Sequence, residues 1–182
     1  MTRRGIKALV WGVVLIVLLV ASGLYAFSPI LSARALVKAG QAGDAAALER
    51  LVDFPAFRIS LKEQLNARMI DELKGNDAAL GGLGMLIGPA LISAAVDAFV
   101  TPQAVASMVK TAEAPVAEPG EPIKPSADAP PKADQVHESY SYRDLNTFAV
   151  TLTRDDRPNE KLDLLMKRRG LFSWKLAAVD LR

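Results

Sequence analysis

TFAVTLTRDDRPNEKLDLLMKRRGLFSWKLAAVDL, residues 147–181, decides the fold. Phe148, Val150 and Leu152 alternate with Ala149, Thr151 and Thr153, and Leu162, Leu164 and Met166 alternate with Asp163, Leu165 and Lys167. Period two with β-branched and aromatic residues is the pattern of strands that bury one face. Just upstream, Tyr140 and Tyr142 alternate with Ser139 and Ser141 in the same way. Asp155–Lys161 and Arg168–Ser173, each holding Pro or Gly, read as the turns. Trp174 and Leu176 share one parity, Val179 and Leu181 the other, so the last strand needs a bulge near Ala177-Ala178. Residues 137–182 are therefore an antiparallel meander of three or four strands, with Trp174 in the core opposite Met166 or Leu164 across a hairpin.

A meander with one apolar face needs a cover. Residues 28–111 supply helices. Ser28-Pro29 is a cap-plus-proline start, giving a short helix that stops at Gly40. Asp44 caps a second, AAALERLV. Asp53 caps a third, in which Phe57, Leu61, Leu65 and Met69 recur every four residues up to Lys74-Gly75. Asn76 or Asp77 starts the next segment. Ala78–Val100 carries one charge, Asp97, and contains GGLGMLIGPALI. It reads as a buried helical hairpin. The alternative is a second membrane span, with Gly84 and Gly88 in GxxxG spacing. Thr101-Pro102 starts a last helix, QAVASMVK. Residues 112–136 hold six of the 11 prolines and few apolar side chains. They read as a disordered Pro-rich loop, joining two halves of one domain. Helices first and strands after give an α+β class.

Further outward lies Ala8–Phe27, ALVWGVVLIVLLVASGLYAF, twenty residues without a charge. At helical rise that length matches the hydrocarbon core of a bilayer. Arg3, Arg4 and Lys7 precede it, so the positive-inside rule keeps residues 1–27 as a cytoplasmic stub and transmembrane anchor and sends residues 28–182 across. For a bacterial chain this means the inner membrane, with the domain in the periplasm. A cleaved signal peptide is the competing reading, because Ala21-Ser22-Gly23 follows a shorter apolar run. Against it, Leu24, Tyr25, Ala26 and Phe27 resume the apolar run at once. Three of the 22 basic residues and none of the 20 acidic ones lie before Ser28. The exported part is thus near neutral and lacks the footprint of a nucleic-acid binder.

Chemistry-bearing residues are sparse. With zero Cys, disulfides, thiol catalysis and Cys-ligated zinc are excluded. The one His, His137, sits at the edge of the Pro-rich loop and reads as solvated. Asp155-Asp156 and Asp71-Glu72 read as turn and exposed-helix carboxylates. The expectation is a domain without enzymatic activity or cofactor. Lys167, Arg168 and Arg169 form a basic corner that reads either as a solvated turn or as a contact with anionic headgroups or a partner. A second function class is a binding module for an apolar or lipid ligand, held between the sheet and the 78–100 helices.

Three runs, AGDAAALERLVDFPAFRISLKEQL, DAFVTPQAVASMV and LLMKRRGLFSWKLAAVDL, together resemble an uncharacterised proteobacterial family, domain of unknown function 2939. Val52-Asp53-Phe54-Pro55, Thr101-Pro102 and Trp174-Lys175-Leu176 carry the resemblance. It implies a membrane-proximal location and this architecture, and no activity. More loosely, helices followed by a hairpin that carries Arg168-x-Gly170 and then Trp174-Lys175 are similar to nuclear-transport-factor-2-like domains, which use more strands.

Overall fold

The computed structural model describes residues 3–75, 78–113 and 135–181. The chain runs α1 (Arg3–Ala42), α2 (Ala45–Leu51), α3 (Phe54–Gly75), α4 (Ala78–Phe99), α5 (Pro102–Thr111), β1 (Val136–Asp144), β2 (Thr147–Arg154), β3 (Arg157–Arg168) and β4 (Trp174–Leu181). The four strands form one antiparallel sheet in the order β1-β2-β3-β4. This is the expected α+β layout, with helices preceding a meander.

The sheet follows its period. Phe148, Val150, Leu152, Leu162, Leu164, Met166, Trp174, Leu176 and Val179 are buried in one cluster with Leu36, Leu48, Phe57 and Leu61 from the helices. The opposite face is polar, with Arg143 and Thr151 both bonded to the Asp163 carboxylate and Lys167 to Thr147. Leu165 pairs with Ala178 and Met166 with Leu176, which leaves Ala177 as the expected bulge. Trp174 is buried, but its register partner is Arg168, two pairs beyond Met166, the nearer of the expected neighbours. The second turn is shorter than the seven residues expected. β3 already begins at Arg157, so only Asp155 and Asp156 connect the strands. Pro158 is tolerated within β3 because β4 pairs only with Leu162–Arg168, so no ladder bond to β4 is lost there.

Edge strand β4 is covered. Asp53 N–H donates to the Leu176 carbonyl at 2.7 Å, and the Ser60 hydroxyl bonds both N–H and C=O of Val179. A free strand edge is a template for unwanted pairing. Here α3 and the residue capping it occupy that edge.

Three local expectations fail, each for a non-local reason. Ser28-Pro29 does not start a helix. It lies inside α1, which runs unbroken from Arg3 to Ala42. The helix stops not at Gly40 but at Gly43, which takes φ +71 and completes a Schellman cap: Gly43 N–H to Gly40 O, and Asp44 N–H to Ala39 O. Gly40 instead allows close contact. A Cβ there would sit 2.7 Å from the Val109 side chain of α5. Nor is Ala78–Val100 a hairpin in itself. It is one helix, with Pro89 inside, lying antiparallel to α3. Arg58 bonds the Val100 carbonyl, Lys62 bonds Asp97 at 2.8 Å, and Gly88 lies against Met69. The expected start at Asn76 or Asp77, the side chains of residues 78–87 (Gly84 with them) and residues 114–134 of the Pro-rich loop lie outside the described residues.

Caps at Asp44, Asp53 and Thr101 stand where expected, each side-chain oxygen accepting an N–H three residues on. The α3 stripe of Phe57, Leu61 and Leu65 is buried. Replacing Gly40 with Val forces atoms into Val109. It should destabilise the α1–α5 contact by about 1–3 kcal/mol, read as a lower urea midpoint of the detergent-solubilised chain.

Candidate functional site

The strongest convergence of side chains lies where α1 leaves its apolar stretch. Proline cannot donate to the carbonyl four residues back, so Pro29 leaves the Tyr25 carbonyl without its helical partner. The Ser28 hydroxyl donates to that carbonyl at 2.9 Å. Ser28 Oγ in turn accepts from Trp174 Nε1 at 2.9 Å, with both side chains buried. A sheet residue 146 positions away thus supports the repair of the helix. The next carbonyl, that of Ala26, accepts from the Tyr142 hydroxyl at 2.6 Å.

Arg168 completes the joint. Its guanidinium lies 4.0 Å from the Tyr25 ring centre and 4.2 Å from that of Trp174, sandwiched between helix and sheet. Nε and Nη2 donate to the Leu145 carbonyl and Nη1 to the Leu171 carbonyl. One side chain therefore ties the β1–β2 tip, the β3–β4 tip and the exit of α1. A planar fork that also stacks on rings suits Arg and not Lys. Around it, Tyr142, Phe148 and Trp174 meet edge to face, with ring centres 5.0–6.4 Å apart.

All three basic residues singled out from the sequence are at this end, and each has an internal partner. Lys167 donates to the Thr147 hydroxyl at 2.7 Å. Arg169 pairs with Asp53 at 2.5 Å, so Asp53 both caps α3 and holds the β3–β4 turn. From the sequence Ser28 is only a helix cap, Tyr142 only a strand residue and Tyr25 only part of the apolar run, so none of them is a site candidate there. A Ser directly before a Pro is the one local signal at Ser28.

Elsewhere, charged groups pair structurally. Arg154, buried at the opposite end of β2, contacts Glu113 just after α5 and Asp156 at 2.5 Å. Arg157 reaches the same Glu113 oxygen at 3.2 Å. His137 bonds Asp155 at 2.7 Å on the surface. Asp71 is exposed, and the Glu72 side chain lies outside the described residues. Burial, aided by the hydrogen bond to Glu138, pushes the Tyr140 hydroxyl up to about 12, so it remains a donor. The Arg154 hydrogen bond holds the Asp156 carboxyl below its ordinary range, and the Asn146 N–H does the same for Asp144. Among the described residues no three His, Asp or Glu side chains converge as a metal site would require.

The proposed ligand space between sheet and α4 is occupied. Helix α3 stands there, packed on β4 by one side and on α4 by the other. Phe148, Val150, Leu164 and Trp174 are all buried, and Val96 of α4 and Val100 just after it join the same core.

This geometry defines a class: an α+β domain built directly onto a long apolar helix. One described helix, in its stretch Trp11–Ala42, is long and apolar enough to cross a membrane; Gly88–Phe99 and Pro102–Thr111 pass only if joined across a 94° bend. The chain belongs to the family described as protein of unknown function DUF2939, whose model matches residues 18–108. The match runs from the apolar part of α1 into α5. It includes Val52-Asp53-Phe54-Pro55 and Thr101-Pro102, but ends before the sheet and Trp174-Lys175-Leu176. No curated protein matches the chain, and no solved structure does.

Two outcomes can be measured, the first at the joint and the second at the sheet's turns. Ser28→Ala strands the Trp174 indole N–H and the Tyr25 carbonyl. It should cost about 1–3 kcal/mol in urea unfolding and shift Trp174 emission, read in a Trp11→Phe background. Acid should also weaken the fold. A carboxyl whose folded pKa is depressed stabilises above its unfolded value and loses that contribution as pH falls. Asp156 and Asp144 are both lowered from 3.8. Stability should therefore drop as pH falls through that value and below, and Asp156→Asn should flatten the dependence in a pH series of urea midpoints.

Proposed function

We propose that α1 is an uncleaved anchor in the bacterial inner membrane, and that it holds residues 28–182 in the periplasm as a non-enzymatic accessory or protein-interaction domain. The observation that carries this reading is the continuity of α1 with the folded core. Residues at the end of the apolar run and just past it are structural: Tyr25 stacks on Arg168, Ala26 accepts from Tyr142, and Ser28 joins Trp174. Cleavage near Ala21-Ser22-Gly23 would leave that joint at a new terminus. Leu36, buried further along the same helix, belongs to the domain core. Arg3, Arg4 and Lys7 favour a cytoplasmic start.

The non-enzymatic part of the reading is supported by how the titratable groups are used. His137, Asp53, Asp155, Asp156, Asp163 and Glu113 each pair with a neighbour that fixes a turn, a cap or a strand end. Such pairs hold backbone elements in place, and among the described residues they tie these groups to structural partners and not into a nucleophile–base–orienter chain. A periplasmic protein partner is favoured over an internal apolar ligand because α3 fills the space that ligand would need.

Contacts also favour α4 as a domain helix over a second span. Its described half is matched to α3 by a salt bridge and a carbonyl bond, and α5 buries Val105, Met108 and Val109 in the core. Reporter fusions test the topology. Fusions after Lys74 and after Arg182 should both give the periplasmic signal. A cytoplasmic signal after Arg182 would place α4 across the membrane, and loss of the N-terminal segment from the mature chain by mass would overturn the uncleaved anchor.

A further inference from the structure

We infer that the two hairpin tips beside the exit of α1, Leu145 on one and Leu171-Phe172 on the other, sit in the interfacial layer of the same bilayer that holds α1, so that the domain rests on the membrane by a built apolar foot. The inference rests on α1 spanning that bilayer and goes beyond it, since a spanning helix could equally carry a domain that stands clear of the lipid.

Three observations carry it. First, the tips are apolar where turns are ordinarily polar: Leu145 is 75% exposed, Leu171 72% and Phe172 51%. Large exposed apolar side chains grouped at one end of a domain mark a binding surface. Second, their height is set by hydrogen bonds and not by a loose tether. The Tyr142 hydroxyl binds the Ala26 carbonyl at the foot of β1, and Arg168 stacks on Tyr25 while binding the carbonyls of both Leu145 and Leu171. At about 1.5 Å per residue, the twenty-residue run from Ala8 ends its hydrocarbon span close to Phe27. The tips are therefore clamped at the level where the apolar run meets headgroups. Third, the anchor helix is itself apolar at this level: Leu24 and Phe27, next in sequence to the clamped Tyr25 and Ala26, are 58% and 63% exposed. Tyr25 and Tyr142, both exposed, are bound at this same level and belong to the aromatic class enriched at membrane interfaces. The occupant is therefore lipid, at the acyl–headgroup boundary of the membrane already around α1.

The chain has zero Cys, so single-Cys variants accept one label each. The full-length protein is reconstituted in phosphatidylcholine vesicles with a minority of phosphatidylglycerol. An environment-sensitive fluorophore is placed at Leu145→Cys, Leu171→Cys or Phe172→Cys, with Glu160→Cys on β3 as aqueous control and Val20→Cys in α1 as inserted control. Lipids spin-labelled near the headgroup should quench the three tip labels several-fold more than the Glu160 label, and aqueous iodide should show the reverse order. Tip labels that match Glu160 while Val20 is quenched by lipid overturn the foot and leave the anchor standing. A Val20 label that lipid does not quench overturns the anchor reading itself, and the foot with it. Tip labels protected from both quenchers would mean that protein covers the tips, which also overturns the lipid assignment. Phe172→Ser and Leu171→Ser, spectroscopically folded, should lower lipid quenching at Leu145→Cys.

Discussion

A proline inside α1 creates the constraint from which the arrangement at this end follows. Pro29 removes one donor from the helix just where the apolar run ends, and the orphaned Tyr25 carbonyl must find another. Ser28 supplies it, and the Ser28 oxygen then accepts from Trp174. Trp174 can reach because β4 begins there, two residue pairs from Met166–Leu176 in the core. Arg168, opposite Trp174 in the ladder, is then placed to stack on Tyr25 and gather both hairpin tips. A single missing N–H thus sets which sheet residues face the helix, and through them where the tips lie.

Much of the architecture was legible because its signals are local. Alternation in residues 147–181 is a property of each strand alone, and side-chain caps at Asp44, Asp53 and Thr101 need only the next three residues. The Ala177 bulge was legible from a change of parity within one strand. The failures share a different cause. Ser28-Pro29 carries the same letters whether it begins a helix or sits within one, and the partner that settles the matter is at Trp174. Gly40 looked like a stop but serves the Val109 contact. Gly- and Pro-rich Ala78–Val100 looked broken, yet α3 offers Arg58, Lys62 and Met69 along the helix that packs on it. Of the candidate site, only the basic corner was legible. Its aromatic partners looked like ordinary core and strand residues until the sheet register brought them to Tyr25.

The family match and the sheet divide the chain unequally. Residues 18–108 carry the helices and the exit of α1, while the strands that complete the joint lie outside that span. Yet the two parts are interdependent: Ser28 needs Trp174, Asp53 needs Arg169, and β4 has its edge covered by Ser60. The helical part alone would expose the apolar faces of α1, α2 and α3. A sheet alone would expose Phe148, Leu164 and Trp174.

The unbroken course of α1 has a mechanical meaning. A helix that spans a bilayer adjusts to its thickness by tilting. Between Tyr25 and Ala42 the same helix belongs to the folded domain, fastened by Tyr142, Trp174 and Arg168 with no linker to absorb rotation. With α1 as the proposed anchor, tilt below would be inclination above: the domain would act as a lever arm, and the thickness of the surrounding lipid would set how it leans.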